Sequence, residues 1–173
     1  VGEARWTYAV SKLAAEHLTY AYYHQHKLPT VTVRPFNVYG PGQIGEGAVH
    51  IFVNKALRGE TLQIHGDGDQ IRSWTYIDDM VDGILPCLTE DAAIGQTFSI
   101  GNPRGAITIL FLARMIASLA EGGSDIEHVA ALSSDVALRV PSVAKARELL
   151  RFEPKVDLEE GLKKTIQWYR SRA

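Results

Sequence analysis

Tyr8 and Lys12 are the first two side chains in the sequence whose types and spacing could do chemistry together. They are four residues apart in a segment rich in helix-forming residues, so they would lie on one helix face, one turn apart. A phenol ionises near about pH 10 and is a poor base at neutral pH, but a neighbouring ammonium favours the phenolate. Such a pair could remove the proton of a substrate hydroxyl while a hydride leaves the same carbon. An ordinary helix with two amphipathic side chains would show the same pattern.

Other reactive side chains have simpler interpretations. Asp78 and Asp79 look like a paired-carboxylate site, but a helix start with Asp78 as its N-cap explains them better. His24 and His26 lie near a helix end with no cysteine or carboxylate pattern beside them, so we predict no metal site. Cys87 is the single cysteine, which excludes an intrachain disulfide, and it is predicted to be a buried apolar residue on a helix.

The elements that must hold Tyr8 and Lys12 alternate between helices and strands. Helical periodicity and capping signals predict helices over 6–27, 48–58, 78–88, 108–120, 142–150 (capped by Ser142) and from 157 onward. Runs of β-formers predict strands over 30–34, 62–64, 71–77, 97–100 and 126–129, with 62–64 and 71–77 paired as a hairpin. Residues 35–47 are predicted to form a long functional loop. The alternation indicates an α/β fold, and the length suits about one domain.

A nucleotide-binding α/β domain should open with a strand, a glycine-rich turn and a helix, and this sequence does not open that way. The one Gly-x-Gly-x-x-Gly spacing, at Gly40, Gly42 and Gly45, lies inside the predicted loop, where we interpret the glycines as loop punctuation. The order of elements is therefore typical of the second half of such a domain.

Composition and charge argue against other classes of partner. The chain has 18 basic and 20 acidic residues and a net charge of −2, whereas nucleic-acid-binding domains show a clear basic excess. No stretch approaches the roughly 18 apolar residues of a membrane span, and the first residues contain no apolar signal core. We therefore predict a cytoplasmic protein with neither a nucleic-acid nor a membrane partner.

A succession of short motifs covers nearly the whole chain, from Arg5 to Tyr169. After the Tyr8–Lys12 segment they are, in order, the segments 34–41 (RPFNVYGP), 64–68 (IHGDG), Arg72, 76–79 (YIDD), 98–102 (FSIGN), 139–142 (RVPS), 152–155 (FEPK) and 160–162 (EGL). Each is short, but their order and spacing together are specific. The sequence resembles the extended short-chain dehydrogenase/reductases, the family of NAD-dependent nucleotide-sugar epimerases, dehydratases and decarboxylases.

The resemblance implies roles for three residues near a cofactor. Tyr8 would be the general base, and later the acid, at a sugar hydroxyl. Lys12 would bind the nicotinamide ribose and tune Tyr8, and Pro35 would lie near the nicotinamide. The implied cofactor is NAD rather than NADP.

The resemblance also implies a site for a nucleoside-diphosphate sugar. Asn37 would contact the diphosphate, and Arg72 and Arg139 would grip it, since a guanidinium stays charged and pairs with phosphate through two parallel hydrogen bonds. Ala48 and Gln63 would belong to the wall around the nucleotide base. Without the resemblance, Arg72 would be a solvated strand residue, Arg139 a loop arginine and Asn37 a turn residue.

The implied fold is the C-terminal part of a Rossmann-like epimerase/dehydratase fold, whose N-terminal glycine-rich half is absent from this sequence. Residues 1–35 and about 78–101 would belong to the Rossmann-like core, and about 36–77 and 102–173 mainly to a small substrate-binding part. Val31 and Val33 would lie in a parallel sheet with a bare flank. We expect the chain alone to bind NAD poorly, because the phosphate-binding helix terminus is missing. The complete protein is expected to be a homodimer.

The predicted function is the catalytic and substrate-binding portion of an NAD-dependent nucleotide-sugar epimerase or dehydratase. One alternative is a UDP-glucuronate decarboxylase, which the segments 139–142 and Arg5-Trp6 resemble. Another is a noncatalytic nucleotide-sugar binding fragment that keeps Asn37, Arg72 and Arg139.

Overall fold

The computed structural model describes residues 6–131 and 136–172; Arg5 lies outside them. The helices are α1 (Thr7–His26), α2 (Ala48–Leu57), α3 (Ile77–Thr89), α4 (Ile109–Ala120), α5 (Ala144–Leu150) and α6 (Leu158–Arg170). The strands are β1 (Thr32–Pro35), β2 (Val38–Tyr39), β3 (Leu62–His65), β4 (Ile71–Ser73), β5 (Thr75–Tyr76), β6 (Thr97–Ile100), β7 (Ala106–Thr108), β8 (Ile126–Val129) and β9 (Leu138–Arg139).

Parallel pairing dominates the sheets. β1 pairs with β6, β2 with β5 and β3 with β8, each in parallel. β4 lies between β7, which is antiparallel to it, and β9, which is parallel to it. Parallel strands need long connections, which here contain helices. The predicted α/β class is confirmed, and Val33 lies in the parallel β1–β6 pair, opposite Phe98.

Two apolar clusters stabilise these sheets. The larger one packs α2, α4 and α6 against β3, with Phe52, Leu112 and Leu162 at its centre. The smaller one joins α3, α5 and β6, and it contains Phe98 and Cys87. Cys87 is buried as predicted.

Helix α1 has the predicted extent but buries none of its residues. Its apolar stripe faces solvent, with Leu13 56% exposed and Leu18 61% exposed. A bidentate ion pair connects the helix to β1: the Arg34 guanidinium donates to both carboxylate oxygens of Glu16, at 2.7 and 2.5 Å. Among the described residues, β1 pairs only with β6, so its other edge is unpaired.

The predicted hairpin between residues 62–64 and 71–77 is wrong. Gly66 and Gly68 both have positive φ, and the carbonyl of Gly68 accepts a hydrogen bond from the backbone N–H of Leu110. The turn therefore contacts the start of α4, and the chain continues into β4 without pairing β4 to β3. The predicted strand 71–77 also divides at Trp74, whose backbone N–H donates to Gly105. Long-range partners thus replace the local pairing.

Three further local expectations are wrong. The N-cap of α3 is Tyr76, and Asp78 lies in the first turn. Asp79 is buried instead, and its carboxylate accepts hydrogen bonds from the backbone of residues 155 and 156. Val143, not Ser142, precedes α5. The predicted loop 35–47 contains the short strand β2, since the extended backbone there finds a partner in β5.

Candidate functional site

A cavity of about 800 Å³ opens between β3, β4, β9 and the start of α2. This volume lies within the roughly 300–1,000 Å³ of typical ligand sites. Its wall includes all five residues that were predicted to contact a substrate. These residues are Asn37, Ala48, Gln63, Arg72 and Arg139. They come from five separate elements or loops, so only the tertiary structure brings them together. That they bind a substrate stays a prediction.

Arg72 and Arg139 are direct neighbours across the parallel β4–β9 pair. Residues in register on paired strands direct their side chains to the same face of a sheet. Arg72 is only 8% exposed and donates to the carbonyl of Ile71 at 2.9 Å, so the expectation of a solvated side chain is wrong. Burial follows from the position of β4 between two other strands. The structure thus places two arginines in register on adjacent strands in the cavity wall.

The other three cavity residues occupy distinct settings. Asn37 has φ of 37°, a left-handed conformation that asparagine tolerates better than most residues, and its amide donates to the carbonyl of Ser73 at 2.7 Å. Ala48 is the first residue of α2. Gln63 is exposed on β3, where its side-chain oxygen accepts from Lys55 at 3.4 Å. The cavity therefore has one rigid polar corner at Asn37 and a more open rim at Gln63.

Tyr8 and Lys12 lie on one face of α1, as their spacing predicts. The Lys12 ammonium is 5.3 Å from the centroid of the Tyr8 ring, and the Tyr8 side chain is 71% exposed. Pro35 is exposed at the carboxyl end of β1. None of the three lines the cavity. The Glu16–Arg34 ion pair connects the two elements on which they stand; it also lowers the pKa of Glu16 through the hydrogen bond.

The Gly40–Gly45 segment has the glycine spacing of a dinucleotide turn but not its geometry. In such a turn the helix begins at the glycines, so that its N–H groups meet the phosphates. Here α2 begins only at Ala48. Pro41 also removes one backbone donor from the segment. The loop instead contributes Gln43 to the cavity wall.

Sequence reasoning missed several residues of the wall. Gln70 and Trp74 both line the cavity, and each is two positions from Arg72. The two-residue periodicity of a strand places such neighbours on one face, so this signal was available in the sequence. Gln43 and Lys55 carry no comparable signal, because they reach the cavity from a loop and from α2.

Two kinds of feature are absent from the part of the chain that the structure describes. Within residues 6–131 and 136–172, no three or more His, Cys, Asp or Glu side chains come together in a way that could hold a metal ion. Over the same residues, no helix is both long and apolar enough to cross a bilayer.

The chain is similar to enzymes of nucleotide-sugar metabolism. The sequence profile described as the NAD dependent epimerase/dehydratase family matches residues 2–101. UDP-glucuronic acid decarboxylase 1 of Xenopus tropicalis is 35% identical over 168 residues, which are 96% of this chain and 39% of that protein. UDP-N-acetyl-alpha-D-glucosaminuronate decarboxylase of Bacillus cytotoxicus is 36% identical over 175 residues, covering 96% of this chain and 54% of that protein.

A solved structure extends the similarity to the fold. UDP-glucuronic acid 4-epimerase from Bacillus cereus, in complex with UDP-glucuronic acid and NAD, superposes with a TM-score of 0.90 at 30% identity. The superposition covers 96% of this chain and 53% of that chain. Our chain therefore spans 39–54% of the length of these three proteins. The profile match, the sequence identity and the shared α/β fold confirm the resemblance: the chain belongs to the NAD-dependent epimerase/dehydratase family.

Proposed function

We propose that this chain carries the catalytic and substrate-binding portion of an NAD-dependent enzyme that acts on a nucleoside-diphosphate sugar. One observation carries the proposal. Arg72 and Arg139 are adjacent on paired strands in the wall of a cavity large enough for such a ligand. Asn37, Ala48 and Gln63 complete the proposed substrate contacts.

The arginine pair favours a diphosphate as the ligand. Two arginines in the wall of one cavity favour an anionic ligand over a neutral one. Phosphate suits the pair because it accepts bidentate hydrogen bonds from arginine. The N-terminus of α2 lines the same cavity through Gly47 and Ala48, and a helix N-terminus carries partial positive charge.

Tyr8 is the proposed general base at the sugar hydroxyl, with the Lys12 ammonium 5.3 Å from its ring centroid. Two other tyrosines near the site are poor candidates for this role. Burial raises the pKa of Tyr39 and of Tyr76, so both stay protonated at neutral pH. Tyr8 is instead exposed and has a lysine beside it. Tyr8 is therefore accessible to a ligand, whereas Tyr39 and Tyr76 are buried.

The residues present fit the nicotinamide end of NAD but not its diphosphate. Pro35 stands at the carboxyl end of a parallel strand, where α/β sheets bind ligands, and Tyr8 and Lys12 are accessible. The Gly40–Gly45 loop lacks the helix start that a dinucleotide diphosphate needs. When bound, NAD would supply the acceptor for the hydride that leaves the sugar carbon. Calorimetric titration of the 173-residue chain should give an affinity weaker than about micromolar, and tighter binding would contradict this assignment.

The proposed reaction begins by oxidising a sugar carbon and continues as epimerisation or dehydration. Decarboxylation of a UDP-uronate is the second candidate, because the two relatives compared above are named as decarboxylases of such sugars. The cavity wall also contains the cationic side chains of Lys55, Arg72 and Arg139 and one carboxylate, that of Glu46. This excess of positive charge suits a uronate, which carries a carboxylate in addition to its diphosphate. In a form of the protein that includes a glycine-rich portion, CO₂ release from UDP-glucuronate and NAD would favour decarboxylation. Formation of a 4-epimer without CO₂ would favour epimerisation.

Two further properties are proposals. The exposed apolar stripe of α1, including Leu13 and Leu18, supports a homodimer in the complete protein, since uncovered apolar faces mark interaction surfaces. A cytoplasmic location is supported by the single, buried thiol of Cys87.

Binding of nucleotide sugars to the 173-residue chain tests the proposed site. We expect UDP-glucose, UDP-glucuronate or dTDP-glucose to bind, and Arg72→Ala to weaken binding by about tenfold or more, since it removes charge-assisted hydrogen bonds. Arg58→Ala is the matched control, because Arg58 is an exposed arginine paired with Glu60 outside the cavity. Equal affinity of the Arg72→Ala variant and the wild type would overturn the site. Binding without turnover, even with a glycine-rich portion supplied, would favour the noncatalytic alternative.

A further inference from the structure

Buried polar atoms without partners concentrate at the cavity. Among the described residues, four buried side-chain nitrogen or oxygen atoms make no hydrogen bond: those of Gln43, Gln70, Trp74 and Ser124. The first three belong to residues that line the cavity, and the fourth does not. Buried polar groups in folded proteins nearly always have a partner, so the three atoms at the cavity are candidates for hydrogen bonds to a bound molecule.

The chemical type of each unpaired atom is fixed by its surroundings. The Gln43 amide nitrogen donates to the carbonyl of Val38 at 3.2 Å, and that of Gln70 donates to the carbonyl of His65 at 3.1 Å. Both side-chain oxygens are therefore left as acceptors. The unpaired Nε1 of Trp74 can only donate. A ligand that pairs with all three atoms must offer a hydrogen-bond acceptor to Trp74 and hydrogen-bond donors to Gln43 and Gln70.

Trp74 lies next to the arginine that is proposed to hold the diphosphate. Ser73, between Arg72 and Trp74, makes its hydrogen bond away from the cavity, to the carbonyl of Asn102 at 2.6 Å. Arg72, in β4, and Trp74, directly after that strand, both line the cavity, whereas Ser73 between them does not. The Trp74 side chain is only 6% exposed, so water cannot easily satisfy its N–H group.

We propose that the indole N–H of Trp74 donates a hydrogen bond to a phosphate oxygen of the ligand, beside Arg72, and that Trp74 is a binding residue of the site. This inference rests on the proposed function. A nucleoside diphosphate meets the whole requirement, because its phosphates accept hydrogen bonds while its ribose hydroxyls donate to Gln43 and Gln70. Inorganic pyrophosphate offers an acceptor to the Trp74 N–H group but no ribose hydroxyls to donate to Gln43 and Gln70.

Indole N–H signals in a ¹⁵N-labelled 173-residue chain provide a direct test. The sequence has three tryptophans, so three indole cross-peaks are expected, and Trp74→Phe assigns one of them by its loss. If Trp74→Phe does not fold, Trp6→Phe and Trp168→Phe assign the peak by elimination. On addition of UDP, of UDP-glucose or of pyrophosphate, the Trp74 proton should shift downfield and exchange more slowly with water. The Trp6 signal should not move, because Trp6, the N-cap residue of α1, lies outside the cavity.

Calorimetry gives the second measurement. Trp74→Phe should weaken binding of UDP, UDP-glucose and pyrophosphate alike, by about tenfold, whereas the matched variant Trp6→Phe should bind as the wild type does. If the wild type binds these ligands but the Trp74 signal stays in place, this inference is wrong while the proposed function stands. If only UDP-glucose loses affinity, Trp74 contacts the sugar and the phosphate assignment is wrong. If the wild type binds none of them, the proposed function itself fails.

Discussion

Helix α1 and the cavity region both contain helices with apolar stripes, but they differ in how completely those stripes are buried. Helix α4, beneath the cavity, has Leu112 and Ile116 fully buried, whereas Leu13 and Leu18 of α1 are more than half exposed. The cavity wall draws on six elements, β2, α2, β3, β4, α4 and β9, and their loops, while the Glu16–Arg34 ion pair connects α1 to β1. The difference indicates that the described residues pack around the cavity. The same residues leave the Tyr8–Lys12 surface uncovered.

The comparison predicts that a substitution on α1 can abolish turnover without changing ligand affinity. This loss of turnover is the largest effect that we expect. In a form of the protein with a glycine-rich portion, Tyr8→Phe should reduce kcat by about 10²–10⁴-fold, because it removes the proton acceptor. Nucleotide affinity measured by calorimetry should stay unchanged, since Tyr8 does not line the cavity. Tyr20→Phe, on the same helix and equally free of core contacts, is the control. Full activity of the Tyr8→Phe variant would remove Tyr8 from the mechanism.

A matched pair of leucine substitutions measures the difference in packing directly. Leu112→Ala should lower the free energy of unfolding by about 2–5 kcal/mol, because it opens a cavity in the larger core. Leu13→Ala should change it by less than about 0.5 kcal/mol, because the side chain is exposed. Urea unfolding of the 173-residue chain provides both values. A large and concentration-dependent loss in Leu13→Ala would mean that self-association already covers α1.

The smallest predicted effect concerns the ion pair between α1 and β1. The hydrogen bond from Arg34 lowers the pKa of Glu16 below its ordinary value of 4.5, so the pair stabilises the folded chain above that pH. Glu16→Gln should therefore cost up to about 1 kcal/mol at neutral pH, with faster amide exchange along α1. The difference from wild type should disappear as the pH falls through the lowered pKa of Glu16. Glu60→Gln, which breaks a local ion pair with Arg58, should leave α1 exchange unchanged.

Local patterns in the sequence predicted the helices well and the strand partners poorly. The extents of α1, α2 and α4 follow from periodicity and from Pro or Gly near their ends, and these signals act within a few residues. The hairpin prediction failed because β3 and β4 each find a parallel partner far along the chain, in β8 and β9. Nothing local distinguishes a strand that turns back from one that pairs at long range.

The residues of the candidate site also fall into those that local sequence places and those that only the tertiary structure places. The sequence alone determined the Tyr8–Lys12 juxtaposition, because a four-residue spacing on a helix sets two side chains one turn apart whatever surrounds them. Resemblance to a known family singled out five residues of the cavity wall, Asn37, Ala48, Gln63, Arg72 and Arg139. Only the tertiary structure decided that Arg72 is buried beside Arg139 and that Trp74 has an unpaired N–H group. Those facts depend on which distant strands meet, and strand pairing is set by the burial of whole faces rather than by neighbours in the chain.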